Sequence, residues 1–82
     1  MLRYSLIHPM PSWDLFHISS HKYIGDALNK LHRLQIRSQK HPEKFEKWFD
    51  YRKIMIRDND AAGKIVFRVG DESNELTKTF RG

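Results

Sequence analysis

The chain contains no cysteine, no glycine-rich stretch and no long apolar run. Without cysteine there are neither disulfides nor thiolate metal sites, so we expect stability to come from packing or a partner subunit, in a reducing cytoplasm. The four glycines are isolated from one another, which excludes a glycine-rich phosphate loop. The apolar runs are too short for a membrane span, and Pro9 and Pro11 interrupt the N-terminal one, so neither a membrane segment nor a signal peptide is predicted.

The length of 82 residues predicts one small domain over residues 1–82. Such a chain forms one core and has no room for a separate cofactor domain or a deep, enclosed active site, so no cofactor is expected. The hydrophobic fraction is 39% and includes ten aromatic residues, which argues against a disordered chain.

Positive charge is concentrated in the middle of the chain. The net charge is +5, and residues 20–57 hold ten Lys and Arg against four acids, whereas the flanking segments are nearly neutral. Such segregation in a small domain favours a polyanionic partner. The alternative interpretation is a basic face that is simply solvated.

Periodicity predicts an α+β fold, in which a largely antiparallel sheet of three or more strands carries a main helix and a short helix on one side. "LRYSLIH" alternates like a strand, and "DLFHIS" is a second strand or an extended lead-in. Ser19 and Ser20 are candidate N-caps for the main helix, over residues 20–39. "HPEKFEKWF" predicts the short helix, because Pro42 suits a first helical position and three aromatic residues form an apolar stripe. "ELTKTF" is a candidate final strand.

The main helix carries its cations away from its apolar stripe. At about 100° per residue, the apolar residues share one arc and the cations share the other, where Asp26 is the only acid. Those cations are Lys22, Lys30, Arg33, Arg37 and Lys40. They are interpreted either as an ordinary solvated face or as a site that meets an anion.

The stretch "YRKIMIRDNDAAGKIVFRVG" predicts a hairpin around the turn "DNDAAG". The simplest symmetric register sets Arg57 against Lys64 and Lys53 against Arg68, with Met55 and Val66 between them. The other face is then apolar and faces the core, through Ile54, Ile56, Ile65 and Phe67. Like charges in direct opposition cost a few tenths of a kcal/mol, so the charged face is predicted to bind an anion. The alternative is that flexible cations extend into solvent at little cost.

Neither a metal site nor an enzyme is predicted. His17 and His21 are four residues apart, but no Glu lies between them and spacing places no third ligand. The five histidines include residues that could act as the general acid and base of a ribonuclease, yet their spacing singles out no pair.

RNA, single-stranded or structured and read with low sequence specificity, is favoured over duplex DNA as the polyanion. Aromatic side chains that stack on unpaired bases usually accompany a basic groove. Tyr51 is the better stacking candidate, because Trp48 is more readily explained as a core residue beside Phe45. The candidate RNA-binding residues are Lys30, Arg33, Arg37, Lys40, Tyr51, Arg52, Lys53, Arg57, Lys64 and Arg68.

The short, basic, cysteine-free chain with its run "FEKWFDYRKIMIRDNDAAGKIVFRVG" resembles the small early proteins of T-even-like bacteriophages. In size and charge it is most similar to small phage RNA-binding proteins that inhibit a host endoribonuclease toxin of a toxin–antitoxin system. The resemblance implies an adaptor in the host cytoplasm that binds RNA together with a host protein. No site residue is carried over from it.

A protein-only inhibitor or adaptor is the competing function, in which the same basic face meets an acidic surface of a host protein. A homodimer is also predicted, because a core of this size without disulfides is marginal and twofold symmetry would double the basic surface.

Overall fold

The computed structural model describes residues 2–70, which form a four-stranded antiparallel sheet and one long helix. The strands are β1 (Tyr4–Pro9), β2 (Leu15–His21), β3 (Met55–Asp58) and β4 (Lys64–Arg68), in the spatial order β2-β1-β3-β4. The helix α1 (Ile24–Lys40) connects β2 to the second half of the chain. The predicted α+β fold is confirmed. The predicted final strand "ELTKTF" lies outside the described residues.

The core lies between α1 and one face of the sheet. The strands contribute Leu6, Ile56 and Val66, the residue before β3 is Ile54, and the helix contributes Ala27, Leu31 and Leu34, all at most 9% exposed. Burial of one such aliphatic side chain contributes about 1.5–3 kcal/mol. The apolar stripe predicted for the helix is therefore the face that packs on the sheet.

The helix begins later than predicted because Ser19 and Ser20 belong to β2. The N-cap is Tyr23, whose side chain makes no capping hydrogen bond. The hydroxyl of Ser20 lies 2.8 Å from His17 Nε2, and that of Ser19 lies 2.8 Å from His21 Nε2. The serine pair was a wrong prediction for the cap, since the histidines on the same strand bind both hydroxyls.

The hairpin forms as predicted, but its register differs. Asp58 pairs with Lys64 and Met55 with Arg68, and the register shifts between Ile56 and Arg57. Lys53 lies before β3, in the 3-10 turn Tyr51–Lys53. The like-charged pairs predicted for this hairpin are therefore wrong, because an acid faces Lys64 and a thioether residue faces Arg68.

The same bulge changes which hairpin side chains face the helix. Arg57 lies opposite Ile65, so Ile65 shares the face that points away from α1, whereas Val66 is buried in the core. The sequence prediction had these two residues reversed. Its assignment of Ile54, Ile56 and Phe67 to the core side is confirmed.

The loop of the hairpin is fixed by a buried acid. The Asp58 side chain is 7% exposed and accepts bonds from Arg3 Nε at 3.3 Å, Arg3 Nη2 at 3.2 Å and the Asp60 amide at 3.0 Å. The bonded Arg3 guanidinium holds the pKa of Asp58 below its ordinary value. Ala62 and Gly63 then take positive φ angles of 56° and 75°, which return the chain to β4.

The predicted second helix is a single 3-10 turn, Pro42–Lys44, and the chain from Phe45 to Asp50 is irregular. Phe45 and Phe49 stack with ring centroids 4.7 Å apart, and both pack against the core. The aromatic stripe is therefore half-buried and lies on an irregular segment rather than on a helix.

Candidate nucleic-acid interface

Four cations of α1 form a continuous surface, which we call the basic flank: Lys30, Arg33, Arg37 and Lys40. Arg33, Arg37 and Lys40 are exposed, while Lys30 is half-buried at the margin of the packed face. Among residues 2–70 the ion pairs are Arg3 with Asp58 and Asp60, His41 with Glu43, and Arg52 with Asp50. The positive charge of the basic flank is therefore not neutralised by any described residue.

Two shallow hollows open along this flank. One has a volume of about 360 Å³ and is lined by Lys30, Arg33, Leu34 and Arg37. The other has a volume of about 350 Å³ and is lined by Arg33, Ile36, Arg37, Lys40, His41 and Lys44. Cationic side chains that converge on open hollows offer several donors to one anionic group.

An apolar groove of about 470 Å³ lies beside the flank, between α1, β2 and the irregular segment. It is lined by Met10, Phe16, Ile18, Leu34, Lys44, Phe45, Glu46, Trp48 and Phe49. Leu34 also lines the first basic hollow and Lys44 the second. The basic flank and the apolar groove are therefore one contiguous surface.

His8 anchors the wall of this groove. Its ring is completely buried, with Nδ1 2.6 Å from the Pro9 carbonyl and Nε2 3.0 Å from the Asp50 amide that donates to it. Nε2 also lies 3.1 Å from the Asp50 carbonyl oxygen. A carbonyl accepts but does not donate, and the Nδ1 contact is the shorter of the two carbonyl contacts, so we assign the proton to Nδ1 and let Nε2 accept from the Asp50 amide. The ring also contacts Trp48 edge-on and stacks on Phe49, each with centroids 5.1 Å apart. One histidine of β1 thus holds the segment that forms the groove wall.

Phe16 is the accessible aromatic residue of the groove. It is 45% exposed and contacts Trp48 edge-on at 5.8 Å, while Trp48 itself is half-buried. Tyr51, the stacking candidate from the sequence, is half-buried against the core, and its hydroxyl accepts from Gln39 at 3.4 Å. Trp13 and Tyr23 are more exposed, at 96% and 62%, but neither lines the groove, so the ring available for stacking within the groove is that of Phe16. No sequence pattern marks Phe16 beyond its being an aromatic residue on a predicted strand, because only the strand order makes β2 outermost.

The remaining predicted cations lie elsewhere, and three of them form a second group at one end of the sheet. Arg52, Lys53 and Arg68 line a hollow of about 360 Å³. Arg52 donates to both carboxylate oxygens of Asp50 at 2.9–3.2 Å, and this hydrogen-bonded pairing lowers the pKa of Asp50. Arg68 donates to Met55 Sδ at 2.9 Å. Much of this group's donor capacity is already used.

Arg57 and Lys64 belong to neither group. Arg57 lies on the face of the sheet that points away from α1, where its Nε donates to Asn59 Oδ1 at 3.1 Å. Asn59 in turn donates to the buried Ser5 hydroxyl at 2.8 Å, and His17 Nε2 lies 3.3 Å from the same oxygen. Lys64 pairs across the hairpin with Asp58. The ten predicted residues are therefore split between opposite faces and one end of the molecule.

No protein-family model, curated protein or solved structure matches this chain. Within residues 2–70 no three His, Asp or Glu side chains converge in a way that would hold a metal ion. No helix of the same part of the chain is long and apolar enough to cross a membrane.

Proposed function

We propose that this protein binds single-stranded RNA with low sequence specificity, through the basic flank and the adjoining apolar groove. The observation that carries the proposal is the charge of Lys30, Arg33, Arg37 and Lys40, which forms no ion pair within residues 2–70, beside the accessible ring of Phe16. Phosphates lie along α1, and an unpaired base enters the groove to stack on Phe16. This division follows the usual arrangement of single-strand sites, in which cations follow the backbone and aromatic rings take the bases.

The salt dependence of binding tests this proposal. Four phosphate contacts on a single strand give a log–log slope of about −3, at about 0.7 per contact. We expect R33E combined with R37E to remove two contacts and flatten the slope by about 1.4 units. Both side chains are exposed, so the circular dichroism spectrum should stay unchanged. Fluorescence anisotropy of a labelled oligouridine, titrated at several salt concentrations, measures the slope.

The matched control is K47E combined with K53E, which makes the same change in net charge outside the basic flank, because neither lysine lines its two hollows or the apolar groove. These lysines are exposed and line a different hollow, with Tyr51 and Arg52. We expect the control to retain the wild-type slope. If both variants flatten the slope equally, binding depends on net charge alone and not on the basic flank. If the wild-type protein has no affinity for RNA, the proposed function is refuted.

We also propose, from the resemblance to phage proteins, that the RNA-bound protein inhibits a host endoribonuclease toxin. Co-expression with such a toxin should slow the decay of cellular RNA, and R33E combined with R37E should abolish this protection. Unchanged protection by the variant would separate inhibition from RNA binding. The homodimer stays a prediction, which light scattering checks by mass.

A further inference from the structure

The strand β2 has an edge that no residue among 2–70 uses for backbone pairing. It is outermost in the sheet and pairs only with β1 among residues 2–70. Outside that pairing, residues 15–21 make no backbone–backbone hydrogen bond to any described residue. The strand, "LFHISSH", contains no Lys, Arg, Asp, Glu or Pro, the residues that commonly protect an exposed edge.

The helix-side face of this edge is apolar. Phe16 pairs with His8, so its ring lies on the same side of the sheet as the core. Phe16 and Ile18 line the apolar groove together with Leu34 of α1. A strand added to β2 would therefore direct every second side chain toward this groove and toward α1.

The charge around the groove selects the kind of strand that fits. Within the groove the charges of Lys44 and Glu46 balance. Arg33 and Arg37 line the neighbouring hollows without an acidic partner among the described residues, so the net charge beside the groove is positive. On the face toward α1, the partner strand should therefore carry an acidic side chain next to the apolar side chain that enters the groove, because the acid can pair with these arginines.

We propose that β2 is a docking edge for an extended segment of a partner protein. The segment pairs its backbone with β2, places one apolar or aromatic side chain in the groove beside Phe16, and presents acidic side chains two residues before and after it to the basic flank. Positions two residues apart share a face and are spaced by about 6.6 Å. The bulge at Ile18 confines the pairing to a few residues.

A second copy of the chain is a poorer occupant of this edge. Its own β2 contains no acid to meet Arg33 or Arg37, and twofold pairing would bring two basic flanks together. RNA matches the cations but has no peptide N–H and C=O groups to satisfy the strand edge. The acidic strand and RNA use the same cations, so they compete, although the docking edge exists independently of the RNA proposal.

Two peptides of identical composition test this inference by NMR on the isotope-labelled full chain. The probe is a blocked seven-residue threonine peptide with Phe at its central position and Asp at its second and sixth positions, on the same face as Phe. The control moves both Asp residues to the ends, which lie on the opposite face. We expect the probe to protect from hydrogen exchange those few amides within residues 15–21 that do not bond to β1, and to bind about tenfold more tightly than the control. We also expect F16A, and R33E combined with R37E, to lower its affinity by about tenfold each.

The outcomes separate this inference from the RNA function. Equal binding of both peptides, or binding without protection of β2 amides, would mean charge attraction alone and would overturn the docking edge. If β2 amides become protected in the absence of peptide as the protein concentration rises, the edge pairs with a second copy of the chain instead. If the probe does not bind while oligouridine does, the strand partner is wrong and the RNA function stands. If the probe binds and oligouridine does not, the docking edge stands alone.

Discussion

Replacing His8 with Phe should destabilise the protein and loosen the wall of the apolar groove. Phe keeps an aromatic ring for stacking on Phe49 but is larger than imidazole, so overpacking of this buried site adds to the loss of the hydrogen bonds. The substitution removes the acceptor for the Asp50 amide at 3.0 Å and the donor to the Pro9 carbonyl at 2.6 Å.

The magnitude follows from the burial of these groups. The His8 ring is completely buried, whereas Pro9 and Asp50 are half-buried, so only part of the lost hydrogen bonding can be replaced by water. A buried polar group that loses its partner costs about 1–3 kcal/mol. Two such groups, one of which relaxes toward solvent, give an expected loss of about 2–4 kcal/mol. That is a large share of the stability of a small domain, which is about 5–15 kcal/mol.

Urea unfolding monitored by tryptophan fluorescence measures this loss, because Trp48 contacts His8 directly. The control variant is H8Q, whose side-chain oxygen can accept from the Asp50 amide, so it should recover part of the stability. If H8F unfolds at the wild-type urea concentration, the hydrogen bonds of His8 do not hold the segment from Phe45 to Asp50, and our account of the groove wall is wrong.

Two further predictions concern the hairpin loop. The pKa of Asp58 is lowered in the folded state, so its contribution to stability is complete above the unfolded-state value of 3.8 and is lost as the pH falls through the folded-state value. D58N should remove this loss of stability at acid pH, as measured by urea unfolding between pH 5 and 2. A D58N profile identical to that of the wild type would contradict the Arg3–Asp58 contact. G63A should lower the free energy of unfolding by about 1–2 kcal/mol, because φ is +75° there and the added Cβ would lie 3.4 Å from Arg57 Cδ. The control is G25A, which should not destabilise the protein, because nothing lies within 4 Å of the added carbon. Equal stability of the wild-type and G63A proteins would contradict the loop conformation.

Much of the fold could be predicted because its elements have clear periods. The alternation in "LRYSLIH", the three- and four-residue spacing from Ile24 to Leu34, and the turn residues between β3 and β4 each determine local structure by themselves. The cations of α1 could be predicted for the same reason, since a helix that packs through Ala27, Leu31 and Leu34 must carry Arg33 and Arg37 elsewhere on its surface.

The rest depends on contacts between distant parts of the chain. The bulge in the hairpin exchanges the environments of Ile65 and Val66, and the alternation of side chains contains no information about an inserted residue. In the sequence Ser20 is typical of a helix cap, but in the structure the strand places His17 next to its hydroxyl. The groove needs Phe16, Leu34 and Trp48 to meet, and that requires the strand order and the His8 contacts, neither of which has a local pattern.

Ultraviolet crosslinking of the protein to oligouridine, followed by mass spectrometry of the crosslinked peptides, tests the central claim most directly. RNA on the basic flank and in the groove predicts crosslinks within residues 15–18 and 30–48, with Phe16 among the modified residues and with a strong reduction in R33E combined with R37E. Crosslinks confined to residues 51–70 would place the RNA on the sheet-end cations and contradict the site proposed here.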